Sequence, residues 1–320
     1  MTSPRNLGPD QGAEPKAIWS IVVGEATQRW VERTGRRPND FFNGLLTREA
    51  NLQEMLKLFD LSGRVAIVSG AARGLGRAMA LALAEAGADL ALVDLDGDGA
   101  AKTAREAEAL GRRAAAITCD VSRCEDVRAM FARVDGLYGR LDILGNVAGE
   151  GVLGKPEELS IADIERTLQN LVVGRFCACQ EGGRRMLAAG KGSIINVGSL
   201  ASITAMGRGH VAYSMAMGAV AQMTRELSTE WSARGVRVNA ILPAQVVNPG
   251  LTARMQADPK LEATFLRGIP AGRLGRPDDI RGLAVFLASD ASSWITGALV
   301  PMDGGNLAVN AGGSVGRASE

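Results

Sequence analysis

The sequence predicts an α/β protein, a doubly wound seven-stranded parallel sheet carrying an N-terminal helical extension. Three observations carry that expectation. From Arg64 onward, short runs of Val, Ile, Ala and Leu alternate with longer helical stretches, the pattern of βαβ units whose strands are buried on both faces. A glycine-rich turn, Gly70 to Gly76, joins the first such strand to the first helix. At 320 residues the chain is long enough for one large domain plus an appendage.

Taken in order, residues 1–60 form the extension. The first 16 residues, rich in Pro, Gly and charge, are expected to be a flexible lead. In "KAIWSIVVGEATQRWVERTG" the apolar residues Ile18, Trp19, Val22, Val23, Ala26, Trp30 and Val31 recur at three- and four-residue steps, which predicts an amphipathic helix closed by Gly35. A second helical pattern, "TREANLQEMLKLFDL", follows. Both are expected to dock on the main domain or clasp a second subunit. Residues 61–308 form the main domain, with strands expected at about 64–69, 88–94, 113–118, 141–146, 192–198, 236–241 and 298–302. Residues 309–320 are expected to be a disordered tail.

Composition excludes several classes. With 36 basic against 35 acidic residues, no polybasic run and 4% aromatic residues, the chain has no electrostatic footprint for nucleic acid. Cys119, Cys124, Cys177 and Cys179 have no metal-ligand spacing and there is a single histidine, so no metal is expected and the thiols should be reduced and buried. No signal-peptide pattern opens the sequence and no apolar run reaches the roughly 20 residues needed to span a bilayer, which predicts a cytoplasmic protein without membrane contact.

The segment "RVAIVSGAARGLGRAMALALAEAGADLALVDLD" predicts a nucleotide. Its strand ends at Ser69, and Gly70, Gly74 and Gly76 allow a tight turn and close backbone approach to a pyrophosphate at the following helix N-terminus. Asp94 closes the next strand, where a carboxylate accepts hydrogen bonds from ribose hydroxyls and repels a 2′-phosphate. That favours NAD over NADP, although Arg73 in the loop is of the type that pairs with a 2′-phosphate.

With the spacing Gly-x-x-x-Gly-x-Gly, with "CDV" at Cys119–Val121, "GNVAG" at Gly145–Gly149, Ser199 in "INVGSLAS", Tyr213 in "AYSMAMGAV" and "RVNAILPAQVVNP" further on, the chain resembles the short-chain dehydrogenase/reductase family over about residues 61–308. The resemblance implies an NAD(P)-binding Rossmann domain held as a homodimer or homotetramer through two long helices. It implies catalysis by Ser199 and Tyr213. It places Ser69, Gly70, Arg73, Gly74, Leu75, Gly76 and Asp94 on one end of the cofactor, Asp120 and Val121 at the adenine, Asn146, Ala148 and Gly149 after the fourth strand, and Pro243 and Val246 at the nicotinamide.

The sequence departs from the family's pattern on the reacting side. In the family the tyrosine is the acid/base, and a lysine one helical turn later lowers its pKa; here that position is Met217. An unperturbed tyrosine, with a pKa of about 10, leaves only about one phenolate in a thousand near pH 7. Leu171 occupies the slot of the family's relay asparagine, and Asn170, one residue earlier, could replace it only if the helix carries a local irregularity. Ala244 stands for a glycine, Asn248 for a threonine and Val147 for a second asparagine. His210, three residues before Tyr213, is one candidate for the missing charge; Arg175 and Arg208 are weaker candidates, since an arginine near a helix is usually solvated. The leading expectation is an NAD-dependent oxidoreductase acting on a carbonyl and secondary alcohol pair. A non-catalytic nicotinamide-binding subunit and a non-redox proton-transfer enzyme at the same Ser/Tyr pair stay open beside it.

Elsewhere, residues 249–272 are expected to form a substrate lid, Asp278 and Asp279 an ordinary helix start, and Gly182 to Arg185 the exposed face of a long helix and its crossing contacts.

Overall fold

The computed structural model describes residues 26–35, 37, 39, 40 and 51–309. The expected lead, much of the extension and nearly all of the tail lie outside the described residues. The chain divides into two compact units, Met1–Lys57 and Leu58–Glu320. In the first, residues 26–34 are helical and Gly35 ends the helix with φ +66°, its N–H donating to the Val31 carbonyl at 2.8 Å. Residues 51–57 are helical as well.

The second unit is built on one parallel sheet: β1 (Val65–Ser69), β2 (Asp89–Asp94), β3 (Ala114–Thr118), β4 (Ile143–Asn146), β5 (Gly192–Val197), β6 (Val236–Pro243) and β7 (Leu299–Met302). Their order is β3-β2-β1-β4-β5-β6-β7. Between them run α1 (Gly74–Glu85), α2 (Gly97–Ala109), α3 (Cys124–Tyr138), α4 (Ile161–Leu168), α5 (Gly174–Ala189), α6 (Val211–Trp231), α7 (Pro249–Ala257), α8 (Leu261–Leu266) and α9 (Arg281–Ala288). The strands read as continuous apolar runs because both faces are covered. Ala66 and Val68 of β1 enter a layer with Met79 and Leu83 of α1 and Leu287 of α9, whereas Ile67 enters the opposite layer with Phe131 of α3 and Met186 of α5.

β1 pairs with both β2 and β4, so the chain winds outward in one direction and then in the other. The loops after β1 and β4 diverge there, and a crevice opens at the carboxyl ends of these strands, where ligands bind in sheets of this kind.

One expectation, for Arg175, needs correction and belongs to the site below. Gly182 and Gly183 of α5 are buried at helix crossing contacts: a Cβ on Gly182 would lie 2.9 Å from Leu144 Cδ2, and one on Gly183 2.5 Å from the Trp231 ring. Of the arginines beside them only Arg184 is exposed, while Arg185 pairs with Asp135 at 2.6 Å and Glu181 at 3.0 Å. Pro277–Ile280 is a 3₁₀ turn leading into α9, with Asp279 accepting from the Arg276 N–H at 2.7 Å, as an ordinary start requires. All four cysteines are free, and Cys124 is only partly covered. Burial pushes the Cys119 thiol up to about 11 and those of Cys177 and Cys179 up to about 12. Among the described residues no helix is long and apolar enough to cross a membrane.

Candidate active site

The glycine turn is shaped by its backbone. Gly70 and Gly74 adopt φ +70° and +57°, which side-chain-bearing residues rarely do. Gly76 is needed for a different reason, since a Cβ there would sit 2.0 Å from the Gly70 carbonyl oxygen. The Ser69 hydroxyl accepts from the N–H groups of Val147 at 3.0 Å and Ala148 at 3.2 Å, tying the loops after β1 and β4 together. Arg73 makes no side-chain cap to α1, and the first turn holds no acid, so the positive end of that helix is left for an anion. Asp94 accepts from the Ala72 N–H and the Asp96 N–H, both at 3.0 Å, which fixes its carboxylate against the turn.

At the other end, Ser199 follows β5 and caps a short 3₁₀ turn, accepting from the Ala201 N–H at 3.2 Å. Tyr213 lies in the first turn of α6. Desolvation pushes its phenol above the ordinary tyrosine pKa, while a hydrogen bond with the Ser199 hydroxyl and the charge of Arg175 draw it back. Met217, 1% exposed, fills an apolar cluster with Leu171, Ala216 and Val220 against which Tyr213 packs.

Between α4 and α5 the helix widens into a π turn, Gln169–Val173. This is the irregularity that Asn170 required. Its amide nitrogen, however, donates to the Glu150 carbonyl at 2.9 Å, and it is Leu171 that faces the cleft. His210 precedes α6 with its ring edge-on to Tyr213, centroids 6.2 Å apart. Its Nδ1 lies 2.7 Å from the Gly207 carbonyl and 3.0 Å from that of Arg208; carbonyls only accept, so Nδ1 carries a proton. Arg208 stacks over Phe265 at 5.1 Å.

Arg175 is the residue that sequence reasoning misplaced. It is 5% exposed, not solvated, and donates from Nη1 to the Val197 carbonyl at 2.6 Å and from Nη2 to the Ala148 carbonyl at 3.1 Å. Burial draws its pKa down, and its interactions with Cys179 and Tyr213 oppose that. Among the described residues no carboxylate lies within ion-pair distance of it. No spacing rule flags an arginine in the second position of a helix as buried; the signal would have been the π turn just before it.

A cleft of about 580 Å³ joins the two ends, lined by Arg73, Gly74 and Leu75 at one end and by Gly149, Arg175, Ser199, Tyr213, Pro243 and Val246 at the other, with α7 and α8 alongside. The remaining expected cofactor residues play supporting parts. Ser69, Val121, Asn146 and Ala148 border a narrow pocket that Arg175 shares. Asn146 is buried, donating to Asn196 Oδ1 at 3.0 Å and to Cys179 Sγ at 3.2 Å. Asp120 accepts from the Ser122 N–H at 2.9 Å and hydroxyl at 2.7 Å. Gln245, which the sequence did not single out, carries a buried Oε1 with no hydrogen-bond partner among the described residues.

A parallel sheet whose order reverses beside a glycine turn, an uncapped helix N-terminus and a carboxylate at the next strand end together define a dinucleotide-binding protein. The profile described as enoyl-(acyl carrier protein) reductase matches residues 70–306. The chain is 43% identical over 249 residues to the D-threitol dehydrogenase of Mycolicibacterium smegmatis, covering 77% of this chain and 94% of that protein. It is 36% identical over 249 residues to the NAD-dependent glycerol dehydrogenase of Listeria innocua, covering 78% and 96%. The crystal structure of a gluconate 5-dehydrogenase from Burkholderia cenocepacia in complex with NADP and tartrate superposes with a TM-score of 0.76 at 31% identity, covering 80% of this chain and all of that one. The chain belongs to the short-chain dehydrogenase/reductase family.

Proposed function

We propose that the protein is an NAD-dependent oxidoreductase interconverting a ketone and a secondary alcohol on a small polyhydroxylated substrate, as a homodimer or homotetramer. The observation that carries this reading is the pairing of Ser199 and Tyr213 at one end of the cleft whose other end is the glycine turn. The residues present fit a nicotinamide dinucleotide: Gly76 has no room for a Cβ and Gly70 holds φ +70°, the α1 amides are uncapped, and Gln245 offers an orphaned acceptor near the reacting end. When bound, the nicotinamide supplies or takes up the hydride. Gly70, Gly74, Leu75 and Asp94 would hold the adenosine and pyrophosphate side, and Gly149, Pro243 and Val246 the nicotinamide side.

In reduction, the neutral Tyr213 phenol gives its proton to the oxygen of the forming alcohol, and the Ser199 hydroxyl donates a hydrogen bond to that same oxygen. In oxidation the phenolate takes the proton back. The hydroxyl-rich substrate class is supported by His210, Glu150, Asn248 and Arg254 along the cleft and by the polyol names of the relatives. Assaying the purified protein with NAD and NADP over tetritols, glycerol, hexitols and their ketones tests the reading. Tight dinucleotide binding with no turnover on any of them would favour the non-catalytic alternative.

The two directions should differ in pH dependence. The neutral phenol is fully populated below its pKa and is lost as pH rises through it, and burial sets that pKa above the ordinary tyrosine value. Reduction is therefore expected to stay level across neutral pH, while oxidation climbs steadily with pH through and beyond neutrality. Initial rates in both directions from pH 6 to 10 check this; an oxidation rate that levels off near neutrality contradicts it.

Cofactor choice gives a second test. Asp94 is anchored by two backbone N–H groups and cannot swing away from a 2′-phosphate. Asp94→Asn removes the charge and keeps an acceptor, and is expected to move the NADP to NAD ratio of kcat/KM toward NADP by about tenfold or more. An unchanged ratio would assign the choice to Arg73.

A further inference from the structure

We infer that Arg175 supplies the fixed positive charge beside Tyr213, entering the site from α5, where the lysine expected on α6 is replaced by Met217. The inference rests on the oxidoreductase reading above for its catalytic meaning, and on the geometry of the chain for the rest. Arg175 acts through Tyr213 and is a positioning residue.

A guanidinium taken out of water without a carboxylate is costly, and proteins retain such groups where function needs them. Arg175 is in that state, compensated by two carbonyl dipoles. Those carbonyls belong to Ala148, just after β4, and Val197, the last residue of β5 and two before Ser199. The group is thus clamped to the strand ends that frame the reacting oxygen. Arginine suits such a place because it stays charged when buried and its planar donors serve two carbonyls at once.

The replacement of the lysine by Met217 and the burial of Arg175 are complementary. Met217 sits in an apolar cluster, so α6 brings no charge to the cleft, and Arg175, which lines the same cleft, brings one. The π turn makes this possible. One extra residue in the helix rotates everything after it by about 100° relative to a regular α-helix. Gly174 then presses on the loop after β3, where a Cβ would lie 1.9 Å from the Val121 carbonyl oxygen, and Arg175 follows at the cleft. Of the other charged or titratable groups around Tyr213, Arg73, Glu150, Arg208 and Arg254 are exposed along the cleft, and His210 is bonded to the Gly207 and Arg208 carbonyls. Arg175 is the buried one. The attraction is mutual: the arginine's charge opposes the upward push of burial on the phenol, and the phenolate favours the charged guanidinium.

The chain contains two tyrosines, Tyr138 and Tyr213, so in a Tyr138→Phe background the ultraviolet absorbance of tyrosinate reads Tyr213 alone, with no cofactor or substrate present. In that background, R175M removes the charge, R175Q removes it while keeping amide donors for the carbonyls, R175K keeps it, and R175M/M217K moves it to α6. The folded neutral variants are expected to titrate at higher pH than the parent and to lose about 100-fold in kcat for alcohol oxidation near neutral pH, with little change in KM. R175K and R175M/M217K should titrate close to the parent, and the double variant should regain about tenfold or more in kcat over R175M. A folded R175Q or R175M whose Tyr213 titration does not move overturns the inference and leaves Arg175 as a clamp on two carbonyls. Titrations that move in a protein that turns over no alcohol or ketone in any form uphold the charge pairing and overturn the oxidoreductase reading instead.

Discussion

Replacing Tyr213 by phenylalanine is expected to lower kcat for ketone reduction by about 10³-fold, within the range that a positioned acid/base contributes, while leaving dinucleotide affinity within about twofold. The substitution removes one hydroxyl and nothing else. The ring stays in its cluster with Leu171 and Met217, and the hydroxyl gives up its interaction with Ser199, so the loss in folding stability should be about 1 kcal/mol. The glycine turn lies at the far end of the cleft and does not touch Tyr213. Because Ser199 and Tyr213 serve the same oxygen, Ser199→Ala combined with Tyr213→Phe should cost about as much as Tyr213→Phe alone. Steady-state kinetics with dinucleotide titration by fluorescence reads both quantities. A Tyr213→Phe protein keeping a tenth or more of the parent's kcat would place the proton transfer on another group. Loss of a proton-transfer reaction with no net change in NADH would point instead to the non-redox alternative.

The sheet was legible because its signal is local. Every strand runs within two residues of its expected ends, since buried parallel strands print as Val/Ile/Ala/Leu runs between turn residues. The glycine turn and Asp94 were legible for the same reason: each is a residue type that a backbone angle, a close approach or a charge demands at that spot. Positions set by helix rotation were less so. The need for an irregularity beside Leu171 was visible, but not that Asn170 would turn to the Glu150 carbonyl. The burial of Gly182 and Gly183 comes from Leu144 and Trp231, which are far away in sequence and closed by tertiary packing. Arg175 ranked below His210 because of the residue type itself. Arginines on helices are mostly solvated, and only the π turn and the two waiting carbonyls make this one an exception.

Gly76→Ala is expected to have the largest effect of any single-methyl addition in the cofactor turn. Its Cβ would lie 2.0 Å from the Gly70 oxygen, 2.5 Å from the Gly70 carbonyl carbon and 3.0 Å from the Ser69 oxygen, all backbone atoms that cannot rotate aside as a side chain could. Relief requires α1 to withdraw from β1, and the face it would withdraw is fully packed, with Met79, Ala80 and Leu83 at 0% exposure. Overpacking of a dense core costs about 3 kcal/mol or occasionally more, which for a domain of this size lowers Tm by roughly 6–12 °C. The same displacement pulls the uncapped α1 amides away from the pyrophosphate position, and NAD affinity should fall by about 100-fold as the anion loses its charge-assisted donors. Gly74→Ala separates this clash from ordinary backbone strain. Gly74 has φ +57° but nothing within 4 Å of its Cβ position, so alanine there meets strain alone. That strain is about 1–2 kcal/mol, and the drop in Tm should be the smaller of the two. Thermal unfolding with and without NAD measures both variants. Equal losses at the two positions would mean that the turn is governed by its dihedral angles, and that the contact between α1 and the Gly70 carbonyl is not what holds the cradle closed.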